Sequence, residues 1–152
     1  MSLRERALDY LQAHKVLSLA TFGDQGVWAS PLYYASDDFS LYFLSSPTTR
    51  HCQNIESDPR VAATIYEDYD DWKEIKGIQI EGEVKTITGS KQLSVIARYT
   101  AKFPFIAMQK PTQIKQAMEN ICWYSLTPAR LFFIDNSIRL GHRTEVHLED
   151  KG

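Results

Sequence analysis

Short segments of alternating apolar and polar residues, each closed by a tight polar turn, run through most of this chain and leave few folds open to it. The clearest is residues 77–88. There Ile78, Ile80, Gly82 and Val84 fall on one side and Gln79, Glu81, Glu83 and Lys85 on the other, as in a strand with one buried and one wet face. Residues 16–22, 27–35, 40–45 and 60–67 read as further strands. Gly23-Asp24-Gln25-Gly26 turns the chain after the first, and Ser36-Asp37-Asp38 after the second. Strands joined so briefly are antiparallel. Residues 121–126 and 130–134, split by Thr127-Pro128-Ala129, supply the last two. Six or seven such strands would leave edges open to unwanted pairing unless the sheet curled on itself. The expected fold is therefore mainly β with peripheral helices, a single β-barrel domain over residues 1–152.

Helices fall at the connections. Leu3, Ala7, Tyr10 and Leu11 recur at helical spacing and predict an amphipathic helix over residues 2–14. Others are expected over residues 47–57, 90–102 and 111–120. Residues 68–76, DYDDWKEIK, read as an acidic, aromatic connecting loop, and residues 137–152 as a polar tail without an assigned element.

The composition removes several classes of function. A net charge of −2 gives no electrostatic reason to expect nucleic acid or an anionic membrane as a partner. No apolar run approaches the roughly 20 residues of a membrane span. The first residues, MSLRERALDYLQAHKV, are charged and lack the apolar core of a signal peptide, so a cytoplasmic protein is expected. Cys52 and Cys122 form no Cys-x-x-Cys pair, and the four histidines follow no zinc spacing, so no metal site is expected. Asp135 with His142, and Glu145 with His147, read as exposed tail pairs rather than catalytic dyads. No catalytic residue stands out.

Residues 41–66, LYFLSSPTTRHCQNIESDPRVAATIY, carry the most chemistry. Hydroxyls crowd a turn at Ser45, Ser46, Thr48 and Thr49, with Arg50 and His51 just beyond. Ser46 suits an N-cap, and Pro47 the first helical position. A helix start favours an anion, and an arginine there adds a planar fork matched to phosphate oxygens. An ordinary capped surface helix with an exposed arginine would carry the same residues. Aromatic residues form 12% of the chain, and Tyr33, Tyr42, Tyr69, Trp72, Phe103, Phe105 and Trp123 fall where a solvated face is expected. That excess points to a subunit interface or a flat aromatic ligand.

The run VWASPLYYASDDFSLYFLSSPTTRHCQNIESDPRVAATIYED, followed by GIQIEGEVKTI, resembles the flavin-binding split β-barrel of the pyridoxamine 5′-phosphate oxidase superfamily. Thr49-Arg50-His51 opening a helix, then Asp58-Pro59-Arg60 and a strand, carry the resemblance, which spans about residues 15–88. It implies a homodimeric split barrel that binds FMN and acts as an oxidoreductase on a small molecule, the flavin being the redox centre. Ser45, Thr49 and Arg50 fall where relatives hold the FMN phosphate, beside Leu44, and His51 falls where many have a lysine. Ala29, Ser30, Pro31 and Leu32 match the strand that runs beside the flavin ring. Gly77 stands where the oxidase itself has a glutamine, and the oxidase's C-terminal Trp and Arg have no match here. The alternatives are a non-catalytic flavin, deazaflavin or haem module, or a structural or interaction barrel that has lost its cofactor.

Overall fold

The computed structural model describes residues 1–106, 108, 112, 113, 116 and 119–149. The helix expected over residues 111–120 lies largely outside them. Helix α1 (Leu3–Ala13) begins with a reciprocal cap: the Ser2 hydroxyl accepts the Glu5 N–H at 3.1 Å, and the Glu5 carboxylate accepts the Ser2 N–H at 2.7 Å. It buries Ala7, Tyr10 and Leu11. Strands β1 (Val16–Gly23) and β2 (Gly26–Tyr33) form a hairpin, followed by β3 (Ala35–Asp37) and β4 (Ser40–Ser45). The expected strand over residues 27–35 is thus two strands, broken at Tyr34, and the turn falls at Asp38, whose φ is 52°. Helix α2 (Arg50–Ser57), β5 (Arg60–Tyr66), β6 (Lys76–Thr86), α3 (Ser90–Lys102), β7 (Cys122–Asp135) and β8 (Arg143–Val146) complete the order.

All strand pairs are antiparallel, in the order β2-β1-β5-β6-β7-β4-β3, with β8 beside β7. The ladder stays open between β2 and β3, although the chain runs from one into the other. Buried Tyr34 pins that corner, its N–H donating to the Lys15 carbonyl at 3.0 Å and its hydroxyl to the Leu11 carbonyl at 2.6 Å. The result is a split barrel with β2 as an edge. Leu17, Leu19, Leu41, Phe43, Ile65, Ile78, Leu126 and Leu131 fill its interior, so the face predicted from Ile78, Ile80, Gly82 and Val84 is the buried one.

Helix α3 covers the opposite face of β4 and β7 and makes a second core from Ala35, Tyr42, Val95, Tyr99, Phe103 and Trp123. Tyr42, Phe103 and Trp123 are therefore buried rather than on a solvated face, since β4 is covered on both sides. Tyr33, Trp72 and Phe105 remain about half exposed.

Two further expectations change. Thr127-Pro128-Ala129 does not divide two strands; β7 runs unbroken through it, and the register with β6 shifts between Glu81 and Gly82. The bulge accommodates Pro128, which has no N–H to give the ladder. Gly82 permits the approach, because a β-carbon there would lie 2.5 Å from the Thr127 carbonyl oxygen. The polar tail also contains a strand. β8 is held by Arg130 and Glu145 at 3.2 Å and by the Arg130 and Arg143 guanidinium groups, 4.9 and 4.5 Å from the Phe132 ring centroid. Asp135 is buried rather than exposed: its carboxylate accepts from Arg6 and Ser137, and its N–H donates to the His142 carbonyl at 2.9 Å. Among the described residues no helix is long and apolar enough to cross a membrane.

Candidate functional site

Ser46-Pro47-Thr48-Thr49 forms a turn in which the Thr49 N–H donates to the Ser46 carbonyl at 3.1 Å. Proline's fixed φ suits the second position of such a turn. Helix α2 therefore starts three residues later than Pro47: Thr49 is the N-cap, its hydroxyl oxygen accepting the Cys52 N–H at 3.3 Å, and Arg50 is the first helical residue. The amides of Arg50 and His51 have no intrahelical partner by the geometry of a helix start.

A buried contact docks this helix on the β1–β2 hairpin. Asn54 Nδ2 donates to Thr21 Oγ1 at 3.1 Å, and the Asn54 carboxamide lies over Gly23. Arg50 is thereby aimed at the hairpin. Its guanidinium carbon sits 4.2 Å from the centroid of the Trp28 ring, and its Nη2 donates to the Gln25 carbonyl at 3.2 Å. Its Nε is buried and has no hydrogen-bond partner. A cavity of about 450 Å³ opens beside it, lined by Asp24, Gln25, Thr48, Arg50, Gln53 and Asn54. An uncompensated buried donor costs free energy, and a phosphate oxygen is the acceptor that a planar guanidinium fork matches.

The residues singled out in the sequence fall in three places. Ser45, Thr49 and His51 come together, but inward: His51 is 8% exposed, its Nε2 2.7 Å from Ser45 Oγ and 3.3 Å from Thr49 Oγ1. Ala29, Ser30, Pro31 and Leu32 continue the edge strand from Trp28, Ala29 and Pro31 exposed and Ser30 buried. Leu44 pairs with Trp123 and packs toward the second core, away from Arg50. Gly77 lies instead in a separate cleft of about 380 Å³ beside Tyr66 and Ile134. Sequence reasoning missed Trp28, Gln25 and Asn54. The two-glycine turn beside them was the available signal, because it brings the hairpin tip to the helix.

The outward face of β2, β1 and β5 carries large exposed apolar side chains at its two ends. Phe22 and Val27 are cross-strand partners, as are Val16 and Tyr33, and Tyr66 lies on the same face. Phe22 is 57% and Val27 78% exposed at one end, and Tyr66 63% at the other near Val16 and Tyr33, with Ser18, Ala20, Ala29, Pro31 and Thr64 between them.

Residues 3–135 match the pyridoxamine 5′-phosphate oxidase family model. The chain is 35% identical over 105 residues to a UPF0306 protein of Photorhabdus laumondii, covering 67% of this chain and 73% of that one. Its fold is similar to that of a haem-binding protein from Mycobacterium smegmatis, with TM-score 0.79 and 17% identity, over 97% of this chain but 59% of that longer one. It is also similar to a FAD-binding protein from Mesorhizobium loti, with TM-score 0.67 and 19% identity, over 88% and 94% of the two chains.

Proposed function

Because the chain belongs to the pyridoxamine 5′-phosphate oxidase family, we propose that it binds FMN at the junction of α2 and the β1–β2 hairpin and serves as a flavin-dependent oxidoreductase. The observation that carries this reading is Arg50 at a helix start, lining a polar cavity, with a buried Nε that has no hydrogen-bond partner. Arg50, with the first amides of α2 and Thr48, holds the phosphate. Stacking on Trp28 keeps the guanidinium in place when the site is empty, so little ordering remains to be done on binding. The edge of β2 from Ala29 to Leu32 offers backbone groups that no neighbouring strand uses, which suits the polar rim of a flat ring. Pro31 contributes a carbonyl only. Bound flavin supplies the redox chemistry, and the chain orients it and shields it from water.

The outward face of β1, β2 and β5, with large apolar side chains at its two ends, is closed by a second copy of the chain, giving a homodimer. Stable dimers of this type bury more than about 2,000 Å². Sedimentation at micromolar concentration is expected to give a dimer, and only a 17.5 kDa species would overturn it.

The haem alternative rests on structural neighbours of low identity, at least two of them haem proteins. Here His51 is committed to Ser45, and His14 is bonded to Tyr10 and Glu67. A visible spectrum tests the choice. Purified protein incubated with FMN and desalted should keep a flavin band, and riboflavin should be retained far less. A Soret band on haemin addition without any flavin retention would refute the flavin reading.

A further inference from the structure

Helix α3 ends in a corner of packed aromatic rings beside the open seam between β2 and β3. Phe103 closes the helix, its N–H donating to the Tyr99 carbonyl at 2.9 Å, and Pro104 keeps it from continuing. The turn over Pro104–Ile106 brings Phe105 back beside Phe103, with ring centroids 6.0 Å apart. Tyr33, the last residue of β2, meets both rings, at 5.1 Å from Phe103 and 6.1 Å from Phe105. Phe103 is itself buried against Tyr99, 4.8 Å away, and Tyr99 stands edge-on to Trp123 at 5.2 Å. Tyr33 and Phe105 are thus half-exposed rings on a buried aromatic floor, which fixes them in place before anything binds.

Lys102 puts a cation at the same corner. Its Nζ lies 5.8 Å from the Phe103 centroid and 4.1 Å from that of Tyr34, and it donates to the His14 carbonyl. An ammonium has three donors, so these contacts leave one for a further acceptor. Among the described residues no carboxylate pairs with Lys102, and Glu67 is bonded to the His14 imidazole at 2.9 Å instead. Burial, helped by Lys15, holds the Lys102 ammonium down to about 8, so the charge is short of both water and a counter-charge. An anion supplies what is missing, and a flat apolar body attached to it covers the two half-exposed rings.

We propose that Tyr33, Phe105 and Lys102 form a binding site for a planar aromatic anion, its ring laid on Tyr33 and Phe105 and its anionic group on the Lys102 ammonium. Trp28 to Tyr33 is about 17 Å of strand, so the site is separate from the cavity at Arg50 and a phosphate held there does not compete for it. Tyr33 pairs with Val16 at the last rung of the β1–β2 ladder, at the rim of the face closed by the second copy. On the reading that FMN lies along Ala29 to Leu32, on which this step rests, the bound anion adjoins the flavin ring and is the class of small molecule the flavin meets.

Calorimetric titration of the full chain, without added FMN, tests the site with three probes. Naphthoate is flat and anionic, naphthylmethanol flat and neutral, and cyclohexanecarboxylate anionic but not flat. Naphthoate should bind at least about 10-fold more tightly than either of the others. Lys102→Met should erase its advantage over the alcohol and leave the alcohol's own affinity unchanged. Tyr33→Ala should weaken naphthoate and the alcohol together. Comparable affinity for all three probes, or naphthoate binding that Lys102→Met leaves intact, would overturn the site. In FMN-loaded protein naphthoate should shift the flavin absorption band, and binding without a shift would overturn the placement beside the flavin. If the chain does not bind FMN, the flavin reading fails and the naphthoate titration still decides the site.

Discussion

The carboxamide of Asn54 occupies the space over Gly23, where a β-carbon would lie 2.0 Å from Asn54 Oδ1. That contact and the Asn54–Thr21 hydrogen bond set the approach of α2 to the β1–β2 hairpin. Gly23→Ala must displace a buried, bonded side chain. The expected cost is about 1–3 kcal/mol in urea denaturation, with weakened FMN retention in the molecules that remain folded.

Removing the Arg50 side chain tests the anion site. Arg50→Ala is expected to weaken FMN by about 10- to 150-fold, corresponding to about 1.5–3 kcal/mol for a charge-assisted hydrogen bond. Riboflavin should bind both forms alike, because it has no phosphate. Trp28→Leu should produce a smaller loss of the same kind, since it removes only the face on which the guanidinium rests. Fluorescence titration reads all three. Unchanged FMN affinity in Arg50→Ala would move the phosphate elsewhere.

Gly82→Ala separates fold from site. Its β-carbon would meet the Thr127 carbonyl oxygen at 2.5 Å and the Pro128 α-carbon at 3.1 Å, both backbone atoms that cannot rotate away. A stability loss of about 2–3 kcal/mol is expected by chemical denaturation, with the FMN affinity of the folded fraction unchanged.

Lys102 makes stability depend on alkaline pH. Burial, helped by Lys15, pushes its ammonium down to about 8, against its contact with the Tyr34 ring at 4.1 Å and its hydrogen bond to the His14 carbonyl. Between about 8 and the ordinary value of 10.5 the unfolded chain holds this proton and the folded chain does not. Stability from this group therefore rises with pH across that window. Tyr10, Tyr34 and Tyr99, whose phenols burial holds above 10.0, oppose it once the unfolded phenols ionise. Lys102→Met should flatten the rise between pH 8 and 10 in melting experiments, and an identical profile would exclude Lys102 as its source.

Where one physical rule acts alone, the sequence was readable. The Ser2–Glu5 reciprocal cap and the alternation around Ile78 and Ile80 are local, and both elements form close to where they were expected. Ser46 was misjudged because two caps compete within four residues. Pro47 is better used in a turn, and Thr49 then takes the Cys52 amide. Pro128 reads locally as a strand break, and only the bulge opposite at Gly82 reverses that. β8 is polar and borrows its stability from Phe132 and Arg130, which are distant in sequence. The position of Arg50 in the first turn of α2 is legible from the sequence, but its Trp28 platform depends on how α2 crosses the hairpin. The inward turn of His51 follows from Ser45 lying beneath the same helix start.

The unbroken course of β7 has a consequence for how this molecule comes apart. Its inward side chains, among them Tyr124, Leu126, Leu131 and Phe133, belong to the barrel interior, while Trp123 belongs to the core under α3. It also ladders with β6, β4 and β8. Neither core survives the loss of this strand, so β7 leaves only when both cores have opened. Helix α3 rests on one side only and can lift by itself. The amides of β7 would then be the last to exchange with solvent, at the rate of global unfolding, while those of α3 report a cheaper, local excursion.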